Sequence, residues 1–324
     1  SSINGIEKSD FIFLIGTNPR LEATILNARI RKSYLKNKTE IISLNNVGDL
    51  TYPYINLDGK LSTINEIIND QNNISTKIKN AKKPIIIFGQ SALISKSAKY
   101  IFESIKSYLI KNKKISNDWN SLNVISDHAS TVGSLDLGIY KTTDGSNEVL
   151  TDLKNHKYEI VYLLGQDSLK FNKKNEFVIY QGSHGDYGAE IADIILPGSA
   201  YTEQNGYFTN LEGKLQKAFK ASYPPNEAKE DWQIINELSG AIGDKKLFND
   251  KSELDSSMLN YVNLFKENNL SKKHSELNNL TYENQTILIQ NNDYYYSNSI
   301  ARASKTMSNC RNEKNKIKLT GTEG

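Results

Sequence analysis

Cysteine is nearly absent: Cys310 is the only one in 324 residues. An internal disulfide is therefore excluded. So is an iron–sulfur cluster held by this chain's thiolates alone, which takes four. Histidine is scarce too. His128, His156, His184 and His274 have no i, i+4 pairing and no nearby cysteine, which argues against a zinc site. No run reaches the roughly 18 apolar residues of a membrane-crossing helix, so no direct membrane span is expected. Neither sign of charge dominates. Forty basic residues oppose 37 acidic ones, a net charge of +3, which gives no electrostatic case for nucleic acid as a partner. Arginine is the last shortage: only Arg20, Arg29, Arg31, Arg302 and Arg311 occur. With abundant Lys, Asn and Ile, this is the signature of AT-rich coding, as in an organellar genome or an AT-rich organism. Lysine cannot reproduce the planar fork of arginine. The three arginines within residues 20–31 therefore mark a segment where fork geometry counts.

What is present is a polar chain, 38% apolar with a mean hydropathy of -0.54, long enough for one large or two medium domains. Phe11-Ile-Phe-Leu-Ile15 is apolar throughout and reads as a central parallel strand closing on Gly16. Residues 21–35 carry Leu21, Ile25, Leu26 and Ile30 at helical spacing, and residues 40–44 form the next strand. The alternation continues with a helix over 64–79, a strand over 84–88, a helix over 96–109 and a further helix over 119–129. Strands over 158–164 and 177–180 follow. The run Ile194-Ile-Leu196, stopped by Pro197-Gly198, reads as a buried strand. Residues 207–216 read as a hairpin turning at 210–213. Pro224-Pro225 marks a break before a helix over 227–242 with Trp232, Ile235 and Leu238 inward.

The expected fold is α/β: a doubly wound, mostly parallel Rossmann-like sheet with a β-hairpin and a helical or irregular C-terminal extension. Residues 1–242 are expected to form the α/β domain, and 243–324 a polar extension with a docking helix. The first strand looks interior, yet only about ten residues precede it. One flank of the sheet is therefore expected to be uncovered within this chain and completed by another polypeptide.

Few motifs carry chemistry. Gly16-Thr-Asn-Pro-Arg20 stands between strand and helix, where a phosphate cradle would lie, but it is neither G-x-G-x-x-G nor a P-loop. It reads as a turn capped by Asn18, or as an inherited nucleotide-type pocket. Arg29 and Arg31 read as a solvated basic face or as partners for an acidic neighbouring subunit. His184 and Asp186, in a glycine-rich stretch, lack a recognisable nucleophile. Asp193 and Glu203 suit backbone capping better than acid–base work. Tyr294, Tyr295 and Arg302 read either as a docking surface or as a terminal helix packed on its own domain.

Several blocks, in order, resemble one family. They are the stretch Phe11 to Leu35 with Gly16-Thr-Asn-Pro-Arg20 and Asn27-Ala-Arg-Ile-Arg31, then Gln181-Gly-Ser-His-Gly-Asp-Tyr-Gly-Ala189 and Ala192-Asp-Ile-Ile-Leu-Pro-Gly198. Ala200-Tyr-Thr-Glu203, Asn210-Leu-Glu-Gly213, Glu230-Asp-Trp232 and Ser299-Ile-Ala-Arg-Ala-Ser304 follow. They resemble the molybdopterin oxidoreductase fold, and within it the C-terminal portion of the large (75 kDa-type) iron–sulfur subunits of respiratory complex I (NADH:ubiquinone oxidoreductase).

That resemblance implies a structural, non-catalytic role in the peripheral, matrix-side arm of mitochondrial complex I, peripheral to the inner membrane. It implies no cofactor and no metal in this chain. The iron–sulfur clusters would lie in a separate polypeptide that carries the N-terminal portion of a split subunit, and other peripheral-arm subunits would be neighbours. No catalytic residue is carried over. Gly16, Asn18, Gly165 and His184 are the candidates for a vestigial pocket. Two alternatives remain: a molybdopterin-dependent oxidoreductase fragment that shares a pocket with a partner chain, and a nucleotide-binding regulatory module.

Overall fold

The computed structural model describes residues 2–139, 148–243, 245–270, 280, 282–290 and 293–316. His274 lies outside them. Five parallel strands form the first sheet: β1 (Phe11–Ile15), β2 (Glu40–Ser43), β3 (Ile55–Asn56), β4 (Pro84–Phe88) and β5 (Leu122–Val124), in the order β3-β2-β1-β4-β5. β1 pairs in register with β2 on one side and β4 on the other.

All five β1 residues are buried, because successive side chains feed opposite layers and both layers are apolar. Phe11, Phe13 and Ile15 pack with Ile64, Ile78, Ile101 and Ile105 from the Leu61–Ile68, Asn73–Asn80 and Ala98–Lys111 helices. Ile12 and Leu14 pack with Ile30 of the Thr24–Asn37 helix and with Ile6, Leu50 and Tyr52. Each such side chain contributes about 1.5–3 kcal/mol on burial.

The expected open flank beside β1 is therefore corrected. Residues 4–8 fold as a 3-10 turn on the Thr24–Asn37 helix, and later strands complete both sides of β1 within the chain.

Other boundaries also move. The expected 64–79 helix is two helices, broken where Asp70 takes a left-handed φ of 61° and Asn72 caps the second. The expected 119–129 helix is instead β5. Trp119 donates its indole N–H to the Pro84 carbonyl at 2.8 Å, and Leu122 to Val124 extend the sheet alongside β4. The late helix is Asp231–Ala241, started by a capping box between Glu230 and Gln233. Its buried apolar residue is Ile234, while Ile235 is 36% exposed, one position off the expected face.

β6 (Ile160–Leu164), β7 (Phe177–Gly182) and β8 (Ile194–Pro197) form a separate three-stranded parallel sheet in that order. The parallel α/β class is as expected, with the strands divided between two sheets. β8 is an edge strand rather than a buried one: Ile194 and Ile195 are 44% and 54% exposed. β9 (Gly206–Thr209) and β10 (Leu215–Ala218) form the expected hairpin. Asn210 Oδ1 accepts the amide N–H groups of Glu212 and Lys214, each at 2.9 Å, which closes the turn. No helix among the described residues is long and apolar enough to cross a membrane.

Candidate functional site

In a doubly wound sheet the place for a ligand is beyond the carboxyl ends of the strands, where the winding reverses. Here that point lies between β1 and β4. Gly16 follows β1 with φ +61°, and a Cβ on it would sit 2.5 Å from the Ala92 backbone nitrogen. A Cβ on Gly89, which follows β4, would run into the Gly16 carbonyl oxygen and lie 2.5 Å from Thr17 Cβ. The two loops thus touch, backbone against backbone, at the crevice itself.

The amide groups that could cradle an anion are also taken. Asn18 Oδ1 accepts the Arg20 amide at 3.2 Å and caps the one-turn Pro19–Glu22 helix, as expected of a turn-capping residue. Glu22 then folds back over the loop. Its Oε1 accepts the Asn18 amide at 2.7 Å, and its Oε2 accepts the Thr17 hydroxyl at 2.7 Å. An internal carboxylate therefore fills the anion position. Burial raises the Glu22 pKa; the two hydrogen bonds oppose that shift, and the charge of Asp127 adds to it.

A strap from late in the chain crosses the same end of the sheet. Residues 60 and 286 form an antiparallel bridge, the Leu61 amide donates to the Gln285 carbonyl at 3.0 Å, and the Ile287 amide donates to Gly59 at 2.9 Å. Asn45, two residues after β2, ties strap to loop. Its Nδ2 donates to the Ile287 carbonyl at 2.6 Å, and its Oδ1 accepts the Gly16 amide at 3.2 Å. The Gln290 amide donates to Ser91 Oγ at 2.9 Å. Ile287 itself, 3% exposed, enters the core. Beside the strap remains an open cleft lined by the amides of Asn18, Asn45, Asn46 and Asn56.

The second sheet is closed in a different way. Asp167 follows β6 and Asp186 follows β7, and Arg302 reaches both from the Ser299–Ala303 helix. Nη2 donates to Asp167 Oδ1 at 2.6 Å and Nε to Asp186 Oδ2 at 3.0 Å, while Nη1 donates to the Tyr296 carbonyl at 3.4 Å. His184 stands nearby in sequence, but its contacts are structural. Its carbonyl accepts the Tyr180 hydroxyl at 2.6 Å, and its Nδ1 lies 2.9 Å from Ser183 Oγ. Burial pushes the Tyr180 phenol up to about 12. Gly165 ends β6 and donates its amide to the Gln181 carbonyl at 2.8 Å. The four pocket candidates thus stand in two pairs, Gly16 and Asn18 on one sheet, Gly165 and His184 on the other.

Four of the five proposed interface residues also find partners at home, Arg302 with the two aspartates above among them. Arg29 pairs with Glu7, which Lys32 joins at 3.2 Å. Arg31 is exposed and has no ion pair among the described residues. Tyr295 packs edge-on against Tyr294 with ring centroids 5.6 Å apart and lies under Lys314 of the Lys305–Lys316 helix. Tyr294 stays 74% exposed. Asp193 and Glu203 do cap backbone, accepting the Val178 amide at 2.7 Å and the Ala200 amide at 2.9 Å. Sequence reasoning missed Glu22, Asn45, Asp167 and the strap. Glu22 had a usable signal, since it lies four residues after Asn18 at the start of a helix.

The sequence pattern of the family described as "Molybdopterin oxidoreductase" matches residues 1–241. The chain belongs to this family. Among curated relatives, the "NADH-ubiquinone oxidoreductase 75 kDa subunit" of Reclinomonas americana is 39% identical over 94% of this chain and 45% of its own length. The mitochondrial "NADH-ubiquinone oxidoreductase 78 kDa subunit" of Candida albicans is 35% identical over 96% of this chain and 44% of its own length. An NADH-quinone oxidoreductase subunit of Rickettsia bellii is 35% identical over 99% of this chain and 46% of its own length. The chain thus spans slightly less than half the length of these relatives.

The family name implies a pterin cofactor, whose phosphate would need backbone amides at such a crevice. The residues present do not fit one at either sheet. At the first, Glu22 already takes the Asn18 amide and the Gly16 and Gly89 loops are in contact. At the second, Asp167 and Asp186 present carboxylates, and the one cation between them is engaged by both.

Proposed function

We propose that this molybdopterin oxidoreductase family member is a non-catalytic structural subunit of mitochondrial respiratory complex I. It sits in the peripheral, matrix-side arm and supports electron transfer from NADH to ubiquinone by holding the polypeptide that bears the iron–sulfur clusters. That polypeptide is the N-terminal portion of the subunit, made as a separate chain. This chain carries no redox group of its own. Its value is rigidity, because clusters pass electrons only at fixed, short separations.

One observation carries the reading: the chain's own side chains and late segments occupy the crevices where this fold would bind a ligand. Glu22 and the 282–290 strap take up part of the first, leaving a cleft beside the strap, and Arg302 bridges the loops at the second. The names of the relatives support the assembly.

The test is purification of the tagged chain from gently solubilised native membranes. Co-migrating NADH:ubiquinone oxidoreductase subunits and cluster signals, with molybdenum and tungsten far below stoichiometric, are expected. Stoichiometric metal and pterin would instead make the chain part of a molybdopterin-dependent enzyme. Recovery without complex I subunits would refute the assembly.

A further inference from the structure

The Thr24–Asn37 helix is one-sided in charge. Its inner face buries Asn27, Ile30 and Ser33, and its sequence carries Arg29, Arg31, Lys32 and Lys36 without a single carboxylate. Among the described residues the acid that reaches these cations is Glu7, which Arg29 and, at 3.2 Å, Lys32 already share. Arg31 and Lys36 have no ion pair among the described residues. The Asn73–Asn80 helix also lacks a carboxylate, yet its Lys77 pairs with Glu40 and its Lys79 with Asp70, the latter at 2.6 Å. The helix dipole favours Lys36 in the last turn but gives no such support to Arg31 in the middle. Lys32 and Lys36, four positions apart, repel one another.

The same outer face displays apolar side chains. At 3.6 residues per turn, Ile25, Ala28, Lys32 and Leu35 follow one line along the helix, with Arg31 and Lys36 to either side. Ile25 is 73% exposed and Leu35 56%, and the other four are exposed as well. Apolar contacts flanked by uncompensated cations are what a protein interface with an acidic counterpart requires. A lipid surface fits less well, because Lys32 stands in the middle of the line that would have to enter the acyl region. Nucleic acid would use the cations and leave Ile25 and Leu35 without a role.

We infer that the outer face of the Thr24–Asn37 helix is a docking surface for another polypeptide, one that presents an apolar patch flanked by carboxylates. Charge complementarity selects that occupant: one carboxylate meets the fork of Arg31, a second meets Lys36, and the apolar patch covers Ile25 and Leu35. Arg29 belongs to the fold, through Glu7, while Arg31 belongs to the interface. The inference goes beyond the complex I reading and holds for whichever assembly the chain joins, since it follows from the charge and exposure of the helix itself.

The experiment keeps the chain among its natural neighbours. A photo-crosslinking amino acid replaces Ile25 or Leu35 in turn, cells are irradiated before lysis, and the adducts are identified by peptide mass spectrometry. Both positions are expected to join one and the same other polypeptide, at peptides that carry at least two carboxylates beside apolar residues. Arg31→Glu combined with Lys36→Glu should lower the adduct yield at least tenfold, and replacing the partner's two carboxylates by Lys should restore it. That rescue separates a charge-paired interface from a variant that merely folds poorly. Adducts with phospholipid, with a second copy of this chain, with this chain's own residues or with peptides that lack carboxylates overturn the inference. So does the absence of any adduct, an undiminished yield in the double Glu variant, or a failed rescue. Each of these outcomes leaves complex I membership to its own test, the identity of the co-purified subunits.

Discussion

Arg302 donates from Nη2 to Asp167 Oδ1 at 2.6 Å, joining residues 135 positions apart in the chain. The same guanidinium reaches Asp186, so one side chain holds the loops after β6 and β7 together and anchors the terminal helices to them. Few arginines survive in this lysine-rich chain, and this one sits where two carboxylates must be met at once by a planar fork.

Replacing Arg302 with Ala should therefore release the terminal helices and leave Asp167, 7% exposed, without its cation. The expected loss is about 1.5–3 kcal/mol, the range for a hydrogen bond to a charged group. Limited proteolysis should cut residues 293–316 faster than in the parent chain. Arg302→Lys should restore only part of the protection, because an ammonium group cannot reproduce the fork. Equal protection in Lys and Arg variants would show that charge alone holds the segment.

Backbone contact at the switch point makes a second, sharper prediction. Gly89→Ala directs its methyl at the Gly16 carbonyl and at Thr17, neither of which is the free end of a flexible side chain. The cost should reach or exceed about 3 kcal/mol, the upper end of ordinary overpacking. A urea midpoint equal to that of the parent would mean that the two loops separate easily.

The strap offers the reverse case, a cavity. Ile287→Ala removes a side chain that is 3% exposed and packed in the main core cluster. About 2–5 kcal/mol should be lost, depending on how far the surroundings collapse. Hydrogen exchange should show the Leu61 and Ile287 amides opening first, since these make the bridge between strap and sheet. Unchanged protection at both would remove the strap from the account of the closed crevice.

The strongly periodic parts of this architecture were legible without coordinates. Phe11 to Ile15 and Pro84 to Phe88 are apolar at every position, and both are central strands. The hairpin turn at Asn210 followed from local side-chain chemistry. Failures came where tertiary contacts outrank local pattern. Leu122 to Val124 have no strong period of their own and become a strand because β4 offers an edge. The division into two sheets is a matter of which edges meet, and no window of sequence contains it. At the site, Asn18 could be read as a cap. Asn45 to Ile287 spans 242 residues, and the intervening polar sequence gives no hint of the return.

Two carboxylates with opposite shifts lead to a pH test. Glu176 is held down to about 2, chiefly because the Lys174 amide donates to it, with help from His156 at 2.7 Å. A carboxylate whose folded value lies below its unfolded one, near 4.5, binds fewer protons when folded. Its stabilisation is complete above pH 4.5 and disappears as pH falls toward 2. Glu22 behaves the other way. Its folded value is raised by burial, so the fold favours the protonated form, and stability falls as pH rises from 4.5 through that raised value. Glu176→Gln should therefore flatten the acid limb of a stability–pH profile between 4.5 and 2. Glu22→Gln should flatten the decline above 4.5 instead. Chemical denaturation at half-unit pH intervals separates the two limbs. A Glu176→Gln profile that keeps the parent's acid slope would show that the Lys174 amide and His156 do not stabilise the charged form.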